Sequence, residues 1–225
     1  MPKRDATDEL DLSVHAIADS LREISRSLKQ CADRISTPSS EAHAMLQEAL
    51  RLIYKTGDTA DGKLVFAGVG KSYLVGKKLA ATMTSVGTLA VSMHATEAVH
   101  GDLGLIRAND CVMLLSYSGA TNEVVRLAAV LRAMRPSQPV ALIGMSGAVQ
   151  ADSPLGKLCD AWIDCKVDAE LSSAVCAPTT SSSLMLAMGD AIAMLLMARR
   201  NFGPADFVRN HPGGQLGQRL RQHSC

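Results

Sequence analysis

From Lys63 onward, short uninterrupted apolar runs alternate with glycine- or hydroxyl-rich turns and with helical stretches. This rhythm constrains the fold more than any other feature of the chain. The runs cover 64–67, 89–93, 111–115, 139–143 and 161–167. Helical stretches follow the first run to about Val86 and the third to about Met134, and a long one runs from about Ser181 to Arg200. A strand that is apolar at every position has no face to give to water, so both faces must be covered. Helices between such strands make the sheet parallel. The expected class is therefore α/β, with a five-stranded parallel sheet flanked by helices. Ligands on such sheets bind beyond the carboxyl ends of the strands.

Ahead of this region the pattern is helical. Leu10, Val14, Ile17, Leu21, Ile24, Leu28, Cys31 and Ile35 recur at alternating steps of four and three. That is a long amphipathic helix with a narrow apolar seam, suited to packing on another helix of its own domain or of a second subunit. Ser-Thr-Pro-Ser-Ser at 36–40 breaks it, and a second helix runs from Glu41 to Lys55. The expected division is a helical arm at 1–40 and one α/β domain at 41–225.

Composition removes several classes of function. Lys+Arg number 23 and Asp+Glu 22, a formal net charge of +1, which gives no field to draw a nucleic acid. One Trp, three Tyr and three Phe are too few for a base-stacking platform. No run reaches the ~20 apolar residues of a membrane-spanning helix. The nearest is 184–198, interrupted by Gly189 and Asp190, so no membrane partner is expected. The first ten residues lack the apolar core of a signal peptide. Six cysteines with no C-x-x-C pair fit reduced thiols in the cytoplasm, and Cys111 reads as a small buried hydrophobe.

The turn Gly68-Val69-Gly70-Lys71-Ser72 tempts two readings that fail. A Walker A loop needs glycine five positions before its Gly-Lys-Ser, where Val65 stands. A dinucleotide fingerprint needs glycine at Tyr73 and an acidic residue near Ser92 and Met93. What remains is a strand, a glycine turn and a helix start carrying Lys71 and Ser72. Ser116-Tyr117-Ser118-Gly119-Ala120-Thr121 repeats the arrangement, and Pro178-Thr179-Thr180-Ser181-Ser182-Ser183 opens a third helix. Free amides, the positive helix end and short hydroxyls together bind phosphate, whereas each cluster by itself could be mere capping. Three on one sheet point to a phosphorylated small molecule. The titratable candidates nearby are His94, Glu97, His100 and Asp102 after the second strand, Glu123 in the first turn of a helix, Glu170 after the fifth strand, and His211 in a Pro-Gly-Gly turn. His94 and His100 with the two acids could hold a metal. His100-Gly101-Asp102 also reads as a loop for substrate hydroxyls.

Taken in order, GVGKS, GKKLAATMTSVGT, EAVHGDLG, SYSGATNEV, APTTSSSLMLAMGDAIA and HPGGQLG closely resemble the sugar isomerase (SIS) domain of bacterial D-arabinose-5-phosphate isomerases over about 63–220. The resemblance implies the SIS fold, no cofactor, and a homo-dimer or homo-tetramer with sites near subunit boundaries. It also implies interconversion of D-ribulose 5-phosphate and D-arabinose 5-phosphate. It carries catalytic roles onto Lys71, Glu123, Glu170 and His211, and substrate contact onto His100. An inhibitory zinc would fall on His94. The remaining expected substrate contacts are Gly70, Ser72, Gly87, Thr88, Ser116, Ser118, Thr121 and Thr179. Three departures touch the pocket loops: Ala120 where many relatives have Glu, Tyr117 for the more usual Asn, and Ser-Ser-Ala-Val-Cys at 172–176. The form implied is the short one without tandem CBS domains.

Aldose–ketose isomerisation moves a proton between C1 and C2 through an enediolate. It calls for a base, an oxygen shuttle and a charge that stabilises the oxyanion. Glu123 or Glu170 would be the base, His211 the shuttle or ring-opening acid, and Lys71 the electrostatic group. The alternatives are a non-catalytic sugar-phosphate sensor, an isomerase of another phosphosugar, or an interaction protein built on the N-terminal seam. The sensor would need the hydroxyl loops but not the full acid–base set.

Overall fold

The computed structural model describes residues 6–134, 140–213 and 215. Five strands, β1 (Leu64–Gly68), β2 (Ala90–His94), β3 (Cys111–Leu115), β4 (Ala141–Ser146) and β5 (Ala161–Asp164), form one sheet in the order β2-β1-β3-β4-β5. Every pairing is parallel. The helices are α1 (Ala6–Ser36), α2 (Glu41–Gly57), α3 (Gly70–Ser85), α4 (Ala95–Ala98), α5 (Asn122–Met134), α6 (Thr180–Arg199) and α7 (Pro204–Asn210).

The strand side chains divide by parity between two cores. Leu64, Phe66, Met113, Leu115, Ile143 and Ile163 pack with α2, α3, α6 and the second half of α1. Val65, Ala67, Val112, Leu114, Leu142 and Trp162 pack with α4 and α5. The α/β class and its covered parallel sheet are as the apolar runs require. The fourth strand begins at Ala141, and Pro139 lies outside the described residues. β5 ends at Asp164 rather than 167, because the Asp164 carboxylate accepts from the Lys166 amide at 2.8 Å and turns the chain out of the sheet. α7 forms within the short segment that follows the long helix. Its start is legible: Pro204 is the first helical residue and Asp206 accepts from the Gly203 amide at 3.0 Å.

α1 divides in two. Cys31 is buried, and Arg34 pairs with Asp164 at 2.8 Å, so this half belongs to the domain core. Leu10, Val14, Ile17 and Leu21 of the same seam remain 63–67% exposed. α6 is long and apolar enough to cross a membrane by length and composition. Here it is a core helix, with Leu184, Met185, Met188, Ile192, Ala193 and Leu196 all buried.

α3 and α6 cross closely at Gly189, where an added Cβ would stand 2.3 Å from a Leu79 methyl. Lys78 pairs with Asp190 across the same contact. Both helices begin at the carboxyl edge of the sheet, so this crossing sets how their first turns lie relative to each other. Gly189→Val should force Leu79 aside at a cost of about 1–3 kcal/mol, read as a lower urea midpoint with an unchanged slope.

Candidate active site

Parallel strands gather the loops after β1, β3 and β5 on one edge. β1 connects onward to β2 on one side, while β3 lies on its other side, so the two chains part between the β1 and β3 loops. A ligand crevice opens at such a switch point. Ala67 of β1 pairs with Leu114 of β3, which places the two following loops about 5 Å apart at their origins. The loop after β5 begins two strands further on.

In the first loop Gly70 has φ +56°, a conformation that lets the chain turn directly from β1 into α3. The residue before the helix is Val69, which makes no capping hydrogen bond. The first-turn amides of α3 are therefore left for a ligand, beside exposed Lys71 and half-buried Ser72. In the second loop Gly119 has φ +62°, and the Ser116 and Thr121 hydroxyls are 2.8 Å apart. Ser118 accepts from the Ala120 amide at 3.2 Å. Glu123 lies exposed in the first turn of α5 with no hydrogen-bond partner among the described residues.

The third hydroxyl cluster has an occupant from its own chain. Oε2 of Glu170 accepts from the Thr179 amide (2.8 Å), the Thr179 hydroxyl (2.9 Å) and the Ser181 amide (3.3 Å). Oε1 accepts from the Ser181 hydroxyl. Burial pushes the Glu170 carboxyl up, but the four hydrogen bonds from Ser181 and Thr179 outweigh it, and the net shift is downward. Glu170 is thus an ionised carboxylate at the positive end of α6. Thr179 also accepts from the Leu171 amide at 3.0 Å, so its hydroxyl serves the loop neck rather than standing free.

Two residues of this site escape sequence reasoning. Ser181 stands in the sequence only as part of a hydroxyl cluster, and nothing there pairs it with a carboxylate eleven positions upstream. Tyr117 stands out only as a departure from the family pattern. Its hydroxyl donates to the Val167 carbonyl at 3.3 Å and accepts from the Val167 amide at 3.4 Å. It ties the β3 loop to the segment that carries Glu170. Burial raises the Tyr117 phenol above its ordinary value, so it stays a donor at neutral pH.

Other expected contacts lie elsewhere in the chain. Gly87 and Thr88 sit just before β2, at the amino edge of the sheet, where Phe202 covers Gly87 and Thr88 is buried. One chain therefore does not bring them to Lys71 and Glu170. His211 lies on the flank of α3 and β2, lining an open groove of about 630 Å³ with Lys77, Thr84, Ser85 and Ser92. Its ring stacks on Phe207 at 3.9 Å, and its Nδ1 is 2.9 Å from the Phe207 carbonyl. A carbonyl can only accept, so Nδ1 carries the hydrogen of that contact. Gly214, of the expected Pro-Gly-Gly turn, lies outside the described residues. His100 is exposed in the turn after α4.

His94 closes β2 edge-on to Tyr73, with ring centroids 5.0 Å apart. Its Nδ1 is buried without a partner. No group of three or more His, Cys, Asp or Glu residues assembles among the described residues. Among the described residues one chain therefore does not by itself assemble the three or four ligands a bound zinc takes.

This is the site plan of an α/β protein that can hold an anionic ligand: an uncapped helix start beside a lysine, a hydroxyl turn across a switch point, and a fixed carboxylate. The SIS domain family model matches residues 59–195. The chain belongs to the SIS domain family. It is 42% identical over 185 residues to "Arabinose 5-phosphate isomerase GutQ" of Salmonella typhimurium and, at the same identity, to that of Escherichia coli K12, with 78% of this chain and 56% of each relative covered. The chain thus spans little more than half the length of these relatives. The solved structure of Escherichia coli CFT073 c3406 in complex with arabinose 5-phosphate superposes with a TM-score of 0.73 at 33% identity, covering 92% of this chain and all of that one.

Because the folded pKa of Glu170 is lowered, its hydrogen bonds stabilise the fold fully above the ordinary glutamate value of about 4.3. That stabilisation is lost as the pH falls through the lower folded value. Glu170→Gln should therefore lower the Tm most at pH 6–7, and the gap from the natural protein should narrow toward pH 3 in a calorimetric pH series.

Proposed function

We propose that this chain is an aldose–ketose isomerase acting on D-ribulose 5-phosphate and D-arabinose 5-phosphate. The observation that carries the reading is the carboxylate of Glu170, fixed and ionised on the edge where α3 leaves its first amides uncapped beside Lys71. The similarity to GutQ and to the arabinose 5-phosphate complex supports the choice of substrate.

The substrate phosphate binds the α3 amides with Ser72, Ser116, Ser118 and Thr121. Glu170 is the base: Oε2 is filled by three donors, while Oε1 takes one and keeps an open lone pair. It removes the proton from the carbon beside the carbonyl. The C–H electron pair becomes the enediolate double bond, and the carbonyl oxygen takes a proton from Nε2 of the His211 imidazolium, leaving the neutral ring. Glu170 then gives its proton to the neighbouring carbon while the hydroxyl on the first carbon gives its proton to His211 and becomes the new carbonyl, which completes the isomerisation and restores every group. Lys71 stabilises the oxyanion, a contribution of roughly 3 kcal/mol for one well-placed group. Glu123 supplies a second carboxylate at the rim, and His100 contacts sugar hydroxyls.

His211 lies apart from the Glu170 edge of its own chain, so it serves the site of a second copy in a cytoplasmic homo-oligomer. The exposed half of the α1 seam supports this assembly. Its flanking positions Ser13, Ala18 and Ser20 are small and uncharged, and Asp19 and Arg22 pair with each other on the outer face. Asp11 is the charged residue on that flank between Leu10 and Leu21.

Turnover in deuterated water should place solvent deuterium at C1 or C2 of the pentose 5-phosphate product. Glu170→Gln should lower kcat by at least 10². Tight binding of all pentose and hexose phosphates without any exchange would leave the sensor reading instead. Mixing inactive Lys71→Ala and His211→Ala proteins should restore about a quarter of the natural activity if two copies share each site; no recovery after subunit exchange would refute the shared site.

A further inference from the structure

We propose that Ser181, with Thr179, is a positioning residue: it holds the Glu170 carboxylate in one orientation, so that a single lone pair of Oε1 faces the substrate. This deepens the isomerase reading above and rests on it.

The geometry is unusual for a helix start. Helix caps ordinarily come from the residue immediately before the helix, whose side chain reaches the amide two or three positions on. Here the cap arrives from nine to eleven residues upstream, and it is an anion. Thr179 makes no capping bond into α6 with its own side chain. Ser181 is buried at 1% exposure and donates twice to Glu170, through its amide and its hydroxyl. Thr179 donates twice as well, and its hydroxyl then accepts from the Leu171 amide, which fixes the direction of its hydrogen. Residues 171–178 between them carry exposed Leu171 and Val175, and the bonds at this neck anchor the loop's two ends to each other.

A carboxylate on a loop would otherwise rotate about its last torsion, which is broad for glutamate. Rotation would exchange the filled and open oxygens and turn the free lone pair away from the substrate carbon. The Ser181 hydroxyl is the one contact made to Oε1 among the described residues, so it distinguishes the two oxygens. The bonds also favour the ionised form over the protonated one, in agreement with the lowered titration of Glu170. A serine confined to holding α6 in place would affect stability without regard to the charge of Glu170.

Two variants of the full chain test this, Ser181→Ala and Ser181→Thr, each read in two ways. The first readout is the pH profile of kcat/KM with D-arabinose 5-phosphate. The second is the titration of the Glu170 carboxyl carbon by ¹³C NMR, assigned with Glu170→Gln, and it needs no turnover. Ser181→Ala should raise the NMR midpoint and the acidic limb together by about one pH unit. It should lower kcat at the plateau about tenfold, with KM changed less than about twofold. Ser181→Thr, which keeps the hydroxyl, should restore both. An unchanged Glu170 midpoint in Ser181→Ala overturns the proposal, as does an equal loss of activity in the Ala and Thr variants. A natural protein that turns over no pentose phosphate rejects the isomerase reading and this role with it. That failure appears in the natural protein, whereas a failure of the positioning appears only in its difference from Ser181→Ala.

Discussion

The unsatisfied amides at a helix start are the constraint from which the functional edge of this domain follows. A parallel sheet turns all its strand ends the same way, so α3, α5 and α6 present their first turns on one edge. Each start must find an acceptor. α6 takes the carboxylate of Glu170 from its own chain, whereas Val69 gives α3 none. One helix end is thereby closed around a fixed base and another is left open for an anion. The phosphate site and the base site are two answers to the same electrostatic demand.

The rest of the structure keeps these two ends in register. α3 and α6 meet where Gly189 lets Leu79 approach, and Lys78 and Asp190 pair across the contact. The Tyr117 phenol bridges the β3 loop to Val167, three residues before Glu170. The reaction proposed here depends on a base held to within a fraction of an ångström. Groups well away from the reacting carbon therefore bear on it: a helix crossing, an aromatic hydroxyl and a buried serine. The thiols of the core take no part. Burial drives Cys111 and Cys165 well above the range in which a thiolate forms.

The N-terminal helix shows how one periodic signal can have two outcomes. The alternating steps of four and three run unbroken from Leu10 to Ile35, yet Cys31 is buried against the domain while Leu10 to Leu21 of the seam face outward. Periodicity reports that a stripe is apolar and leaves open what the stripe meets. The length of the helix decides it, since the seam continues past the body it packs on. The five strands, by contrast, were legible to within three residues at each end, because burial on both faces requires nearly every position to be apolar. β5 ended early because the Asp164 side chain folded back on its own backbone, an effect invisible to hydropathy.

Local chemistry was enough for the class of the fold, the three turns at which helices begin, and the family to which those turns belong. Which residues can line a doubly covered strand or start a helix is settled within a few positions along the chain. What each turn serves came from the folded arrangement alone. The third hydroxyl cluster holds a glutamate of its own chain, Thr88 and His211 lie apart from the Glu170 edge, and Tyr117 ties two loops together. Those assignments depend on which segments the sheet order and the helix crossings bring side by side, and separation along the chain carries no record of that.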